Sequence, residues 1–156
     1  MPIDDAGFKL AMSQFASGVT VVTTEHEGTQ YGMTVASFAS LSLHPPLVLV
    51  CIEKSVKTHD VIAAAGKFGV SILAQSQADI SNRFASKSDD KFSGVAVRRG
   101  ELGLPLIEGA ICTIECRVHA QLPGGDHSIY VGEVIEARSG EEAPLVYFRS
   151  GYRDLG

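Results

Sequence analysis

The alternation of apolar and polar side chains predicts a protein built mainly of β-strands. The alternation is most regular over residues 111–122, where two sets of side chains would point to opposite faces of one strand. One set is Cys112, Ile114, Cys116, Val118 and Ala120, and the other is Thr113, Glu115, Arg117 and His119. We expect the first set to face the core and the second set to face water.

Six further strands are predicted. Residues 18–25 and 31–37 flank a turn at Gly28, which is typical of a hairpin. Residues 47–52 are apolar on both faces and follow two prolines, so we expect a central, buried strand. The other strands are predicted at residues 68–73, 128–137 and 145–148. Seven short strands and sixteen glycines favour a mainly β fold, a closed antiparallel barrel with a few short helices.

Three short helices are predicted between these strands. Phe8, Met12 and Phe15 recur at helical spacing after Asp4, which predicts a helix over residues 5–15. A second helix is predicted over residues 58–65, with Thr58 as its cap and Gly66 at its end.

Ser76 and Asp79 have the spacing of a capping box, which predicts a third helix. Ile80 and Phe84 would share one face of it. Residues 86–103 are polar and are predicted to form a loop region that crosses the surface.

Composition and charge narrow the class of protein. The 156 residues, 45% of them hydrophobic, fit one domain over residues 1–156. Thirteen basic residues are scattered among eighteen acidic ones, which argues against nucleic acid as a partner. No apolar run approaches the roughly 20 residues that span a bilayer, and the first residues lack the pattern of a signal peptide. We therefore expect a cytoplasmic protein that does not enter a membrane.

Several kinds of site are not indicated. The three cysteines form no CxxC pair and the five histidines show no metal-ligand spacing, so we expect no metal. The chain has no GxGxxG, no P-loop and no GxSxG motif. Any nucleotide must therefore be held in another way.

Hydroxyl-bearing and small side chains are concentrated over residues 34–42, before the buried strand. Such a segment lets backbone and hydroxyl groups approach a flat ligand. Ser55 and Thr58, with Lys54 and Lys57, precede or begin a helix and predict a phosphate cradle. Taken one by one, these residues also fit an ordinary role on strands and at a helix cap.

Five segments in fixed order resemble the short-chain flavin reductase family, which includes reductase components of two-component flavin monooxygenases. They are Phe15-Ala-Ser-Gly-Val-Thr-Val-Val-Thr-Thr, Gly32-Met-Thr-Val-Ala-Ser-Phe-Ala-Ser-Leu-Ser-Leu-His-Pro-Pro-Leu-Val, Phe68-Gly-Val-Ser-Ile-Leu, Gly125-Asp-His-Ser-Ile-Tyr-Val-Gly-Glu-Val and Pro144-Leu-Val-Tyr-Phe. The resemblance extends from about Phe8 to Tyr152. It implies an FMN-binding split barrel that forms a homodimer.

The resemblance also implies a reaction. NADH or NADPH would give a hydride from its nicotinamide C4 to N5 of FMN or FAD, and a separate monooxygenase would receive the reduced flavin. Such a step depends on orientation more than on an acid or base. The absence of clustered arginines favours NADH slightly.

Site residues follow from the resemblance, segment by segment. The stretch that would line the flavin ring comprises Thr34, Val35, Ala36, Ser37, Ser40, Leu41 and Ser42. The ribityl chain and phosphate would meet Cys51, Ile52, Ser55 and Thr58. The helix over the flavin would contribute Asn82, Arg83 and Phe84, and the nicotinamide would lie beside Gly125, Asp126 and His127. Tyr152, followed by Arg153, matches an aromatic and basic pair near the family's C-terminus.

Other interpretations also fit the sequence. His127 also fits a turn histidine, Tyr152 a packing aromatic, and Arg83 an ion pair with Asp79. The barrel also fits a flavin-binding electron carrier or sensor without nicotinamide turnover, or a relative that binds haem or pyridoxal phosphate. Gly125-Asp126-His127 favours the reductase over the electron carrier.

Overall fold

The chain folds into antiparallel sheets with three short α-helices in this computed structural model, which describes residues 2–156. The helices are α1 (Asp5–Met12), α2 (Lys57–Ala65) and α3 (Ala78–Ala85), the last preceded by a 3₁₀ turn, Gln75–Gln77. No helix among these residues is long and apolar enough to cross a bilayer.

A seven-stranded antiparallel sheet forms the centre of the fold. Its strands are β2 (Thr20–His26), β3 (Thr29–Val35), β4 (Phe38–Ser42), β5 (Leu47–Glu53), β6 (Lys67–Ile72), β9 (Cys112–Gly124) and β10 (His127–Ser139). Their order in the sheet is β3-β2-β6-β9-β10-β5-β4. The mainly β, antiparallel class predicted from the alternation is confirmed.

Two small sheets complete the architecture. One contains β1 (Ser17–Gly18), β11 (Val146–Phe148) and β12 (Gly151–Arg153), and the other pairs β7 (Val97–Arg99) with β8 (Pro105–Ile107). Strand β7 lies inside the segment predicted as loop, so that prediction was wrong for these three residues.

Strand β5 differs from its prediction. It lies between β10 and the edge strand β4 and is therefore not central. Val48, Val50 and Ile52 are buried, while Leu47 and Leu49 on the opposite face are only half-buried. The outer face of β5 is thus incompletely covered within one chain.

The polar face predicted for residues 111–122 is only partly in water. Arg117 and His119 are exposed, but Thr113 and Glu115 are buried. The N–H groups of Leu102 and Leu104 donate to Glu115 Oε2 at 3.0 and 3.3 Å. The segment before β8 therefore covers this end of β9.

Helix caps were predicted with mixed success. Asp4 caps α1, its Oδ1 accepting the Gly7 N–H at 2.8 Å, but the helix ends at Met12. Gly66 ends α2 with a φ of 71°, as its position predicted. The helix begins one residue before Thr58, however, after an extended Val56.

The capping box predicted at Ser76 and Asp79 is absent from the first turn of α3, whose N-cap, Gln77, makes no side-chain cap bond. Gln77 instead accepts the Ala74 N–H through its side chain at 2.9 Å.

Candidate functional site

Strands β5 and β10 bring together two distant segments of the predicted site. Their register places His127 opposite Glu53, Ser128 opposite Ile52 and Ile129 opposite Cys51. Because side chains alternate between faces, Cys51 and His127 share the outer face, while Ile52 and Ser128 point into the core. Cys51 lies two positions along β5 from Glu53, the partner of His127, so the Cβ atoms of Cys51 and His127 are on the order of 7 Å apart.

The β9–β10 turn orients His127. Gly125 adopts a φ of 69°, a left-handed conformation that glycine accepts without strain. Asp126 Oδ1 lies 2.7 Å from His127 Nδ1, and the imidazole side chain is 40% exposed. This hydrogen bond, together with the charge of the imidazole, lowers the pKa of Asp126. The Asp126 carboxylate therefore holds the ring through Nδ1, and Nε2 is the ring nitrogen that this bond does not use.

The loop between β5 and α2 contacts the same turn. The Lys54 N–H donates to the Asp126 carbonyl at 2.9 Å. After this loop, Val56 supplies no side-chain acceptor to the first turn of α2. A helix start without a side-chain cap offers N–H groups and a positive dipole end to an anion. The predicted phosphate cradle and the predicted nicotinamide-side histidine are thus neighbours.

The cradle differs in detail from its prediction. Ser55 is exposed, but the Thr58 side chain is buried. The Lys57 ammonium lies 5.7 Å from the centre of the Tyr31 ring, a cation–π distance. Thr58 is therefore less open to a ligand than Ser55, and Lys57 is already engaged.

The hydroxyl-rich segment forms the end of β3, the two-residue connection after it, and β4. Ser37 Oγ donates to the Cys51 carbonyl and the Cys51 N–H donates to the Ser37 carbonyl, both at 3.1 Å. A bulge between Ser40 and Ser42 interrupts the pairing with β5, and Leu41 is exposed there. Of the remaining predicted residues here, Ala36 is exposed and Val35 is buried. A flat ligand can thus approach backbone and hydroxyl groups beside Cys51.

Helix α3 is held over this segment by polar contacts. Thr34 Oγ1 donates to the Ser81 carbonyl at 2.6 Å. The Tyr152 hydroxyl donates to Asn82 Oδ1 at 2.9 Å and lies 2.7 Å from Ser81 Oγ. Thr34, Asn82 and Tyr152, predicted separately, therefore form one cluster. Tyr152 also packs edge-on against Tyr147, with ring centres 5.7 Å apart.

Phe84 and Arg83, two of the predicted cofactor contacts, are engaged within the chain. Phe84 is fully buried and packs edge-on against Phe92, so its side chain belongs to the core and does not reach a surface ligand. Arg83 donates to the backbone carbonyls of Asp90, Lys91 and Ser93. It therefore fixes the loop after α3, and the alternative ion pair with Asp79 is not formed.

Two surface cavities, of about 470 and 310 Å³, are lined by other residues. The larger is lined by Ala74, Gln75, Ser76, Glu142, Ala143 and Asp154. The smaller lies beside Arg98, Glu108 and Arg138. Neither contains a predicted site residue. No group of three or more potential metal ligands is clustered within residues 2–156.

One buried histidine beside the site was missed by the sequence analysis. His59 Nε2 lies 2.7 Å from Ser128 Oγ, although 69 positions separate the two residues. Local sequence patterns carry no signal for such a contact, because it depends on how α2 packs against β10.

Comparisons with known proteins identify the family. Residues 12–156 match the model of the flavin reductase like domain. The chain is 42% identical to a flavin-dependent monooxygenase reductase subunit, HsaB, of Mycobacterium tuberculosis, over 98% of this chain and 83% of that protein. It is 44% identical to the reductase component of 4-hydroxyphenylacetate 3-monooxygenase of Thermus thermophilus, over 95% of each.

A solved structure shows the same fold. The NADH:FAD oxidoreductase SgcE6 of Streptomyces globisporus, in complex with NAD and FAD fragments, matches with a TM-score of 0.94 and 37% identity. The match covers 98% of this chain and 93% of that one. The family model, the two sequence relatives and this structure agree, and the chain belongs to the flavin reductase like domain family.

Proposed function

We propose that the protein is an NAD(P)H-dependent flavin reductase that passes reduced FMN or FAD to a separate monooxygenase. The observation that carries the proposal is the shared outer face of Cys51 and His127, with the first turn of α2 at its end. When bound, flavin accepts the hydride of the reduced nicotinamide, chemistry that belongs to the cofactors themselves. The protein's part is to bind and orient the two rings.

Each part of the site has a role in this proposal. The backbone and hydroxyl groups of residues 34–42 hold the flat ring, with Ser37 and Cys51 at its edge. The N–H groups at the start of α2 and the side chain of Ser55 hold the phosphate. His127, held by Asp126, orients the nicotinamide carboxamide through Nε2. These donors and their exposure fit a phosphorylated, flat cofactor.

NADH is proposed as the hydride donor. Arg83, one of the two arginines that the resemblance names, has its guanidinium bonded to three backbone carbonyls. It is therefore not free to bind the 2′-phosphate that distinguishes NADPH, and the sequence offers no cluster of arginines for that group. The need for reduced nicotinamide is consistent with the proposed location in the cytoplasm.

We further propose that the main sheet closes into a split barrel within a single domain. The proposal is supported by the connection between its edge strands β3 and β4, which consists of only Ala36 and Ser37. One core cluster contains side chains from β2, β3, β5, β6, β9 and β10. A flat sheet would not bring six strands to one cluster.

A homodimer is proposed on the basis of exposed apolar side chains. Helix α1 buries none of its residues, and Phe8, Met12 and Phe15 are exposed on or just after it, Phe15 by 80%. Clustered exposed apolar side chains mark surfaces that associate.

The test of the reductase is NADH consumption in air, with and without added FMN. We expect flavin-dependent turnover. Replacing His127 by Asn should raise the KM for NADH roughly tenfold, the value of one lost hydrogen bond, while the flavin dissociation constant changes less than about twofold. His26→Asn, in the β2–β3 hairpin, is the matched control.

Two results would contradict the proposal. Flavin binding without turnover by either NADH or NADPH would identify an electron carrier or sensor instead of a reductase. An unchanged KM for NADH in the His127 variant would remove its role toward nicotinamide.

A further inference from the structure

A chain of hydrogen bonds begins in the first turn of α2 and ends on β10. His59 is nearly buried, and both of its ring nitrogens have partners. Nδ1 lies 2.8 Å from Asp60 Oδ1, and Nε2 lies 2.7 Å from Ser128 Oγ. Because a carboxylate only accepts, Nδ1 is the donor to Asp60, and Nε2 shares the other hydrogen bond with the Ser128 hydroxyl.

Tyr130 also holds His59 against β10. Its hydroxyl donates to the His59 carbonyl at 2.5 Å, and the two rings pack edge-on with centres 5.5 Å apart. Burial and the nearby Asp60 charge raise the pKa of Tyr130, so its hydroxyl keeps the proton that it donates. Backbone and side chain of His59 are therefore both fixed to β10.

The order carboxylate, imidazole, hydroxyl is that of a serine nucleophile and its base. Ser128, however, is 3% exposed and points into the core. A substrate has no access to its Oγ, so the arrangement does not serve nucleophilic catalysis.

The position of the chain suggests another role. Ser128 directly follows His127 on β10, and His59 directly follows Thr58 in the first turn of α2. The His59–Ser128 bond therefore sets the distance between the proposed phosphate cradle and the proposed nicotinamide-side histidine. The Lys54–Asp126 backbone bond is a second connection between the same two segments.

We propose that His59 is a positioning residue that holds the start of α2 at the correct distance from β10 for flavin binding. The inference rests on the proposed flavin site. Without the Nε2 bond, the first turn of α2 keeps only the Tyr130–His59 and Lys54–Asp126 bonds to the β9–β10 hairpin, and Ser128 retains only a 3.5 Å contact from Gln121. Flavin binding then weakens, while the hydride step in the loaded enzyme is unchanged, because His59 touches neither ring.

Two substitutions at His59 test the roles of its two ring nitrogens separately. In His59→Asn the amide replaces Nδ1 and reaches Asp60 but not Ser128. In His59→Gln the longer side chain places a polar atom near Nε2 and keeps the contact with Ser128. Ser128→Ala removes the same bond from the β10 side, and His26→Asn is again the control.

The flavin dissociation constant, the KM for flavin, kcat at saturating flavin and the melting temperature are measured for each variant. We expect His59→Asn and Ser128→Ala to weaken FMN binding about five- to tenfold, as for one hydrogen bond, with kcat unchanged. His59→Gln should stay within about twofold of the natural protein.

The outcomes distinguish this inference from the proposed function. If the natural protein reduces flavin but His59→Asn and Ser128→Ala bind FMN normally, the inference is overturned and the reductase stands. If His59→Gln weakens binding as much as His59→Asn, in parallel with melting temperature, His59 is only structural and the inference is again overturned. Ser128→Ala decides if His59→Asn does not fold. If the natural protein binds no flavin, both proposals fail.

Discussion

The three cysteines lie in different environments, so the reactivity of each thiol reports on its own part of the structure. Cys116 is fully buried, and burial together with the Glu115 carboxylate raises its pKa to about 12. Cys51 and Cys112 are half-buried, on β5 and β9 respectively. Thiolates are the reactive form, so Cys116 should be inert at neutral pH.

We predict that a thiol reagent labels Cys51 and Cys112 in the native protein, but not Cys116. Saturating FMN should slow the labelling of Cys51 at least severalfold, because the ring edge would cover it. Labelling of Cys112 should not change. Mass spectrometry of the labelled peptides measures this, with Cys112→Ser and Cys51→Ser as matched variants. Equal labelling of Cys51 with and without FMN would contradict the proposed ring position.

Single residues also show where sequence patterns mislead. Glu115 alternates with core residues and was expected in water, yet it is buried beneath the segment before β8. The alternation identifies the two faces of β9 but not what packs on them. Phe84 was assigned to the cofactor from the resemblance, although its apolar ring and helical spacing with Ile80 are equally those of a core residue.

At the scale of elements, the β9–β10 hairpin connects the core to the site. Its register shifts between Val131 and Gly132. A Cβ built on Gly132 would lie 2.6 Å from both Cys116 Cβ and Phe68 Cζ. Glycine is therefore required here by close approach of β10 to its neighbours.

Gly132→Ala should destabilise the fold by about 1–3 kcal/mol, because the added methyl group overfills a packed core. The midpoint of urea unfolding at pH 7 measures the loss. Gly18→Ala is the control, since nothing lies within 4 Å of a Cβ at that position. An unchanged midpoint for Gly132→Ala would contradict the prediction and show that the surrounding side chains rearrange to accept the methyl group.

The type of most elements, helix or strand, was predicted correctly. The errors concern where the elements begin and end and which strands pair. The predicted hairpin is present, and so are the strands predicted at residues 68–73, 128–137 and 145–148. Their signals extend over only a few residues and can be recognised locally. The start of α2 was misplaced since Thr58 matches a cap in sequence but lies inside the helix. Strand β7 was missed because its partner β8 is several residues away and two of its three residues are arginines.

At the scale of the whole molecule, the exposed apolar residues around α1 bear on assembly. We predict a particle of about twice 16.5 kDa by sedimentation. Phe8→Ser combined with Met12→Ser should shift the mass toward the monomer without unfolding, because burial of these side chains would drive association. Leu155→Ser, also an exposed apolar position, is the control. A monomer in the natural protein would overturn the proposed homodimer.

The sequence by itself determined the class of fold, the order of most strands and helices, and the family resemblance that named the site residues. These depend on alternation, turn residues and short motifs, which act over a few positions. Only the tertiary structure decided that Cys51 and His127 share one face, that Thr34, Asn82 and Tyr152 form one cluster, and that His59 meets Ser128. Those contacts are set by strand register and helix packing between distant segments, which no local pattern encodes.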